Sequence, residues 1–200
     1  MTHYIAHRIN KLENLKQLPT EFGVEIDLRD RGERLILEHD PFTDGEDAEP
    51  YFANYKHGTL ILNIKSERIE FRILELIEKY KIENYFFLDS SFPMIYQLFK
   101  RSERRSAVRF SEFESIDTVL KLKGLVEWVW VDCFTHLPIT QGSYAILKDA
   151  GFKLCLVSPE LQGRPEEIEP YRDSLKQDGI IFDAICTKLA NVEKWQKEFP

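Results

Sequence analysis

The chain has 200 residues, of which 43% are hydrophobic and 30% charged, and its formal net charge is −7 at pH 7. That length suits one domain spanning 1–200 with a substantial core, and it leaves no room for a second catalytic domain. The acidic balance argues against a general polyanion-binding surface, so no nucleic-acid partner is expected, and no apolar run approaches a bilayer span, so no membrane insertion is expected.

The first eight residues, Met1-Thr2-His3-Tyr4-Ile5-Ala6-His7-Arg8, are too short and polar for a signal peptide, and a cytoplasmic location is expected. Apolar runs of strand length then alternate with amphipathic runs of helix length, the pattern of repeated βα units around a parallel sheet. In chain order the pattern predicts a strand at 4–7, a helix at 12–18, and strands at 23–28 and 34–38. Only residues 29–33 separate those last two strands, too few for a crossover helix, so a hairpin or irregular pair is expected there. The polar stretch 43–49, with four acidic residues, reads as a mobile loop that acts as a small lid.

Further on come strands at 59–65, 84–89, 106–110, 126–132, 153–157 and 182–186. Between and after them helices are predicted at 67–81, 93–100, 115–122, 140–150, 165–177 and 191–197. In the helix at 67–81, Ile69, Leu74, Ile77 and Tyr80 are expected to line one face while Glu70, Glu75, Glu78 and Lys79 meet water. Gly151 and Gly179 stand where helices hand over to strands, as C-terminal caps should. Nine strands with one tight pair reduce to a compact α/β fold, a (β/α)8 TIM barrel with a short or irregular second βα unit. Cys133, Cys155 and Cys186 are widely spaced in apolar strands and are expected to be buried free thiols. Lys100-Arg101 and Arg104-Arg105 form a basic cluster that reads as a solvated helix end.

Residues suited to chemistry gather at predicted strand ends. His7-Arg8 closes the first strand, Glu25 and Asp27 share one face of the second, and His39-Asp40 closes the third. In a parallel barrel these ends converge on one mouth, bringing imidazoles for proton transfer beside carboxylates for a hard cation. Taken singly, each has a bland reading: His7 or His39 as a satisfied buried histidine, Glu25 and Asp27 as ion-pair partners of Arg8 and Arg29. Arg109, Glu112 and Asp132 are weaker candidates for specificity.

The motifs Ala6-His7-Arg8, Val24-Glu25-Ile26-Asp27, Leu37-Glu38-His39-Asp40-Pro41 and Leu62-Asn63-Ile64-Lys65, in this order, resemble those of the glycerophosphodiester phosphodiesterase family, within the phosphatidylinositol-phospholipase-like barrels. Asp89-Ser90-Ser91-Phe92 and Asp183-Ala184-Ile185-Cys186-Thr187 extend the resemblance over nearly the whole chain. The resemblance implies a metal-dependent phosphodiesterase acting on a small glycerophosphodiester-like or sugar-phosphate diester. It makes His7 and His39 the acid/base pair, with neither role assigned. Glu25, Asp27 and Asn63 would hold Mg²⁺ or Ca²⁺, and Arg8 and Lys65 would hold the substrate phosphate. Asn63 departs from the family, which has a third acidic ligand there; Glu67 or Asp132 are candidates to replace that charge. The connection from His39 to Asn63 is also too short for the family's usual substrate-recognition insert. Two alternatives stay open: a catalytically weakened barrel that binds a phosphorylated ligand, and a lyase that releases a cyclic phosphate.

Overall fold

Side chains on a strand alternate between two faces, and in a closed barrel one of those faces must fill the interior. The computed structural model describes residues 2–197. In chain order the elements are β1 (His3–Ala6), α1 (Leu12–Gln17), β2 (Gly23–Arg31), β3 (Arg34–Leu37), β4 (Glu46–Asp47), α2 (Ala48–Ala53), β5 (Leu60–Ile64), α3 (Glu70–Tyr80) and β6 (Tyr85–Leu88). They continue with α4 (Phe92–Lys100), β7 (Ala107–Phe110), α5 (Ile116–Lys121), β8 (Trp128–Val131), α6 (Gln141–Asp149), β9 (Lys153–Val157), α7 (Ile168–Gln177), β10 (Ala184–Thr187) and α8 (Val192–Gln196).

The strands pair in parallel in the order β7-β8-β9-β10-β1-β2-β5-β6. The ring closes between β6 and β7 through a single bridge from Phe87 to Ser106, where the Phe87 N–H donates to the Arg105 carbonyl at 2.8 Å. This is the expected (β/α)8 barrel. Its interior is plugged by Ile5, Ile61, Phe86, Trp128, Trp130, Cys155 and Cys186, with Phe86 stacked on Trp128 at 4.5 Å. Gly23 gives this plug its room: a Cβ there would lie 2.6 Å from the Thr59 carbonyl oxygen and 2.8 Å from Ile5. The opposite strand faces meet the helices. Val24, Ile26, Leu60 and Leu62 lie in one buried cluster with Tyr51, Phe52, Ile73 and Ile77, and Val129, Val131, Leu154 and Leu156 in another with Leu147, Leu175 and Trp195. All three cysteines are free and buried, as expected.

The second unit is irregular, also as expected. β2 runs on to Arg31, turns at Gly32 with φ 59°, and returns as β3, with Leu28 opposite Leu37. The acidic stretch that follows is not the mobile lid expected from its composition. Arg34 reaches Asp44 at 3.0 Å and Asp47 at 2.8 Å, Glu46 accepts the Leu12 N–H at 2.9 Å, and β4 pairs with β3. Its charges are complementary to the hairpin's arginines, which is what ties it down. The chain then enters α2, a helix the sequence pattern did not reveal. α3 begins at Glu70, three residues later than expected, with Ile69 just before it, and Glu70, expected to face water, is buried and accepts a hydrogen bond from Ser90 Oγ at 2.8 Å. Gly151 and Gly179 adopt positive φ after α6 and α7, as the capping argument requires.

Candidate active site

Above the apolar plug the inward positions of the strands change character. Continuing the alternation from Ile5 leads to His7; from Gly23, to Glu25 and Asp27; from Ile61, to Asn63 and Lys65. β2 and β5 run side by side with Asp27 opposite Asn63, which sets the two residues at one level. The outcome is a polar layer at the carboxyl ends of the strands, where ligand sites of such barrels are built.

The centre of this layer is buried. Asn63 Nδ2 donates to Glu25 Oε1 at 2.9 Å, and the Arg8 backbone N–H donates to Glu25 Oε2 at 2.7 Å. Arg8 holds a left-handed backbone, φ 56°. Asp27 Oδ2 accepts from Asn10 Nδ2 at 2.9 Å, while the Asp27 N–H donates back to Asn10 Oδ1 at 2.9 Å. Arg8 Nε lies 3.4 Å from Asp27 Oδ2, and Lys65 Nζ 3.7 Å from Oδ1. Two buried oxygens are left without a hydrogen-bond donor: Asp27 Oδ1 and Asn63 Oδ1. The amide of Asn63 is oriented by its bond to Glu25, so its oxygen is the free end.

His7 Nε2 stands 3.8 Å from Glu25 Oε2. Burial lowers the His7 pKa to about 4, with the charges of Arg8 and Lys188 adding to the effect and those of Asp27 and Glu160 opposing it. Burial and the neighbouring Asp27 charge raise the Glu25 pKa. Both shifts favour neutral forms, so the contact is not a strong ion pair despite its length. His39 lies on the chain returning from β3, where the Arg29 guanidinium holds its carbonyl at 2.9 Å and Glu38 Oε1 accepts its N–H at 2.8 Å. Its Nδ1 meets Asp40 Oδ1 at 2.7 Å. Among the described residues no hydrogen bond or ion pair joins the His39 ring to His7, Glu25 or Asp27. The geometry therefore brings Glu25, Asp27, Asn63, Arg8, Lys65 and His7 into contact, while His39 follows the hairpin strand that returns along β2 and stands outside those contacts.

The candidates for a replacement carboxylate are used elsewhere. Asp132 is bonded by the Arg109 guanidinium and by Gln162 Nε2 at 2.8 Å, and Glu67 accepts from Ser91 Oγ at 3.3 Å. Among the described residues no group of three or more His, Cys, Asp and Glu side chains is arranged to hold a metal ion. Glu25 and Asp27 with the Asn63 amide still give an all-oxygen donor set, the type that hard divalent cations take. Arg109 also reaches Asp89 at 2.5 Å, and Asp89 lies 3.4 Å from Lys65, so a chain of alternating charges runs from Asp27 around the mouth to Asp132. Glu112 is spent on Thr135, whose hydroxyl donates to it at 2.7 Å.

Sequence reasoning missed Lys188 and Glu160. Glu160 is buried and accepts from Thr187 Oγ1 at 2.5 Å, from the Lys188 N–H at 3.0 Å and from Ser158 Oγ. Ser158 in turn takes the Trp195 indole N–H at 2.8 Å. This network fixes the strand ends beside β1. Counting by twos from Ala184 and Cys186 would have put Lys188 on the inward face; Glu160, in a turn after β9, gave no such signal.

No family model and no curated protein matches the chain. Solved structures do. A glycerophosphoryl diester phosphodiesterase from Parabacteroides distasonis aligns with a TM-score of 0.67 over 100% of this chain and 88% of its own, at 15% identity. An Oleispira antarctica phosphodiesterase, in complex with the product sn-glycerol-3-phosphate, aligns at 0.68 over 98% and 96%, with 17% identity. A phosphoribosylanthranilate isomerase from Thermotoga maritima aligns less well, at 0.57 over 100% and 91%, with 14% identity. One barrel carries different chemistries, and identities this low speak to architecture alone. The chain has the (β/α)8-barrel fold of the glycerophosphodiester phosphodiesterases.

Proposed function

We propose that this chain is a phosphoric diester hydrolase that works with a divalent cation, Mg²⁺ or Ca²⁺, on a small glycerophosphodiester-like or sugar-phosphate diester. The observation that carries the reading is the pair of buried oxygens that receive no hydrogen bond, Asn63 Oδ1 and Asp27 Oδ1, the latter with only Lys65 Nζ at 3.7 Å, beside the Glu25 carboxylate at the barrel mouth. Leaving such atoms without a hydrogen-bond donor is costly, and a bound cation relieves it. Glu25, Asp27 and Asn63 would hold that ion, which when bound neutralises phosphate charge and acidifies the attacking hydroxyl. The four motifs and the fold shared with a phosphodiesterase bound to sn-glycerol-3-phosphate support the same class of substrate.

In this reading Arg8 and Lys65 hold the non-bridging phosphate oxygens, each already turned toward the mouth by Asp27. His7 and His39 divide the proton transfers. The Asp40 carboxylate holds His39 Nδ1 and so orients the ring with Nε2 free to hand a proton to the departing alkoxide. His7, without a comparable anionic clamp, takes the proton of the nucleophile. That nucleophile is water or a neighbouring hydroxyl of the substrate; attack by the hydroxyl gives a cyclic phosphate first.

A second reading, a barrel that binds a phosphorylated ligand without turning it over, is favoured by the uncharged Asn63. A screen of phosphodiesters with Mg²⁺, Ca²⁺ and Mn²⁺, products followed by phosphorus NMR, separates the readings. Cation-dependent release of a monoester is expected. A cyclic product that persists would make the protein a lyase, and tight ligand binding with no turnover under any cation would make it a binding protein.

A further inference from the structure

Three of the cations at the carboxyl ends of the parallel strands are answered by carboxylates: Arg8 by Asp27, Lys65 by Asp27 and Asp89, and Arg109 by Asp89, Glu114 and Asp132. Lys188, at the end of β10, is not. Its ammonium makes no hydrogen bond or ion pair among the described residues, and the residue is exposed. A lysine at a strand end is ordinarily a solvated cation, but its place in the sheet sets this one apart.

β1 and β10 are in register with Ala6 opposite Thr187, and the His7 N–H donates to the Thr187 carbonyl at 2.9 Å, so the next pair across the ladder is His7 and Lys188. Ala184 and Cys186 belong to the plug, and the backbone at Lys188 stays extended, with φ −69° and ψ 139°, so the alternation carries Lys188 to the inward face as well. A buried carboxylate fixes that position. Glu160 takes the Lys188 N–H at 3.0 Å and the Thr187 hydroxyl at 2.5 Å, and it also accepts from Ser158 Oγ, which is bound in turn by Trp195. Glu160 therefore holds the backbone of Lys188 and not its ammonium. The sheet runs in the order β10, β1, β2, β5, so His7 stands between Lys188 on one side and Glu25, Asp27, Asn63 and Lys65 on the other.

We propose that Lys188 receives an anionic substituent, a carboxylate or a phosphomonoester, on the alcohol that lies beside His7, and so selects diesters that carry a second negative charge. The inference rests on the phosphodiesterase reading for the reaction at the diester itself. In that reading the charge of the diester is met on the β2–β5 side of His7, by the cation and by Arg8 and Lys65. An ammonium on the β10 side stands apart from those groups and is left for a different anion. An unsubstituted glycerol would offer it only a hydroxyl, a weaker partner than a carboxylate or phosphate oxygen.

Calorimetric titration of the full chain with glycerol 3-phosphate, 3-phosphoglycerate and glycerol 1,3-bisphosphate, in Mg²⁺ and again in Ca²⁺, tests this. The probes share one phosphate and differ at the far end, which is a hydroxyl, a carboxylate or a second phosphate. Turnover of the para-nitrophenyl diesters of the same alcohols is followed in parallel. The wild type should bind 3-phosphoglycerate or the bisphosphate about tenfold more tightly than glycerol 3-phosphate, or better, and the tighter of the two names the group. Lys188→Met should remove that preference, and Lys188→Arg should keep it. Equal affinities in the wild type, or no binding of any probe, overturn the proposal, and so does a preference that survives Lys188→Met. A Lys188→Met protein that loses affinity for all the probes to the same extent overturns it too, since the ammonium would then serve the shared phosphate or the fold. In each of these cases turnover of the diesters still decides the catalytic reading separately. Loss of the preference in Lys188→Met with no turnover of any diester overturns the catalytic reading instead, and leaves Lys188 as an anion-binding residue.

Discussion

An amide at position 63 keeps an oxygen at the base of the mouth but removes one negative charge from it, and the consequences can be read in the neighbouring bonds. Its NH2 group donates to Glu25, which a glutamate could not do, so the two carboxylates of β2 are held together without a third. Asn63→Glu should therefore behave oppositely with and without cation. In chelator the variant should melt at a lower temperature than the wild type, because three carboxylates repel one another. With Mg²⁺ or Ca²⁺ it should gain more stability than the wild type and bind the ion about tenfold more tightly or better, which calorimetric titration measures. Equal affinities would mean that position 63 does not face the ion. At this scale much of the candidate site was legible: His7, Glu25, Asp27 and Lys65 all belong to strand ends whose period places them inward. What could not be read was the use made of each charge, since Asp89, Arg109 and Asp132 come from three separate strand ends and meet only through the curvature of the sheet.

Among the elements, the seam between β6 and β7 is the thinnest part of the barrel wall, with one bridge where the other neighbouring strands share ladders. A side-chain staple compensates. Glu103 accepts from the Tyr85 hydroxyl at 2.6 Å and from the Arg105 guanidinium at 2.6 and 2.9 Å, joining β6 to the segment entering β7. Burial works against the charge of Glu103, but these bonds outweigh it and hold its carboxyl below the usual range. A depressed folded-state pKa contributes stability that is present above the unfolded value and is lost as pH falls through the folded one. Glu103→Gln should cost about 1–2 kcal/mol near pH 7, and less near pH 3, in urea unfolding. An undiminished cost at the acid end would assign the staple to packing rather than charge. The hairpin of β2 and β3 was legible from the shortness of its connection, whereas α2 was not. Six residues including Pro50 carry too little periodicity to announce a helix, and the acidic run before it looked mobile only because its arginine partners lie across the hairpin.

For the whole molecule, the barrel stacks an aromatic and thiol-filled plug below a polar layer. Both layers follow from the alternation of each strand, which is why the fold and much of its mouth could be anticipated from local patterns. The central claim is that two imidazoles serve one phosphodiester bond beside an oxygen-lined cation site. Turnover of a phosphodiester by His7→Ala and by His39→Ala, each in saturating Mg²⁺ or Ca²⁺ and each shown to be folded, tests it most directly. The account predicts a loss of about 100-fold or more in both variants. Full turnover in both would contradict it.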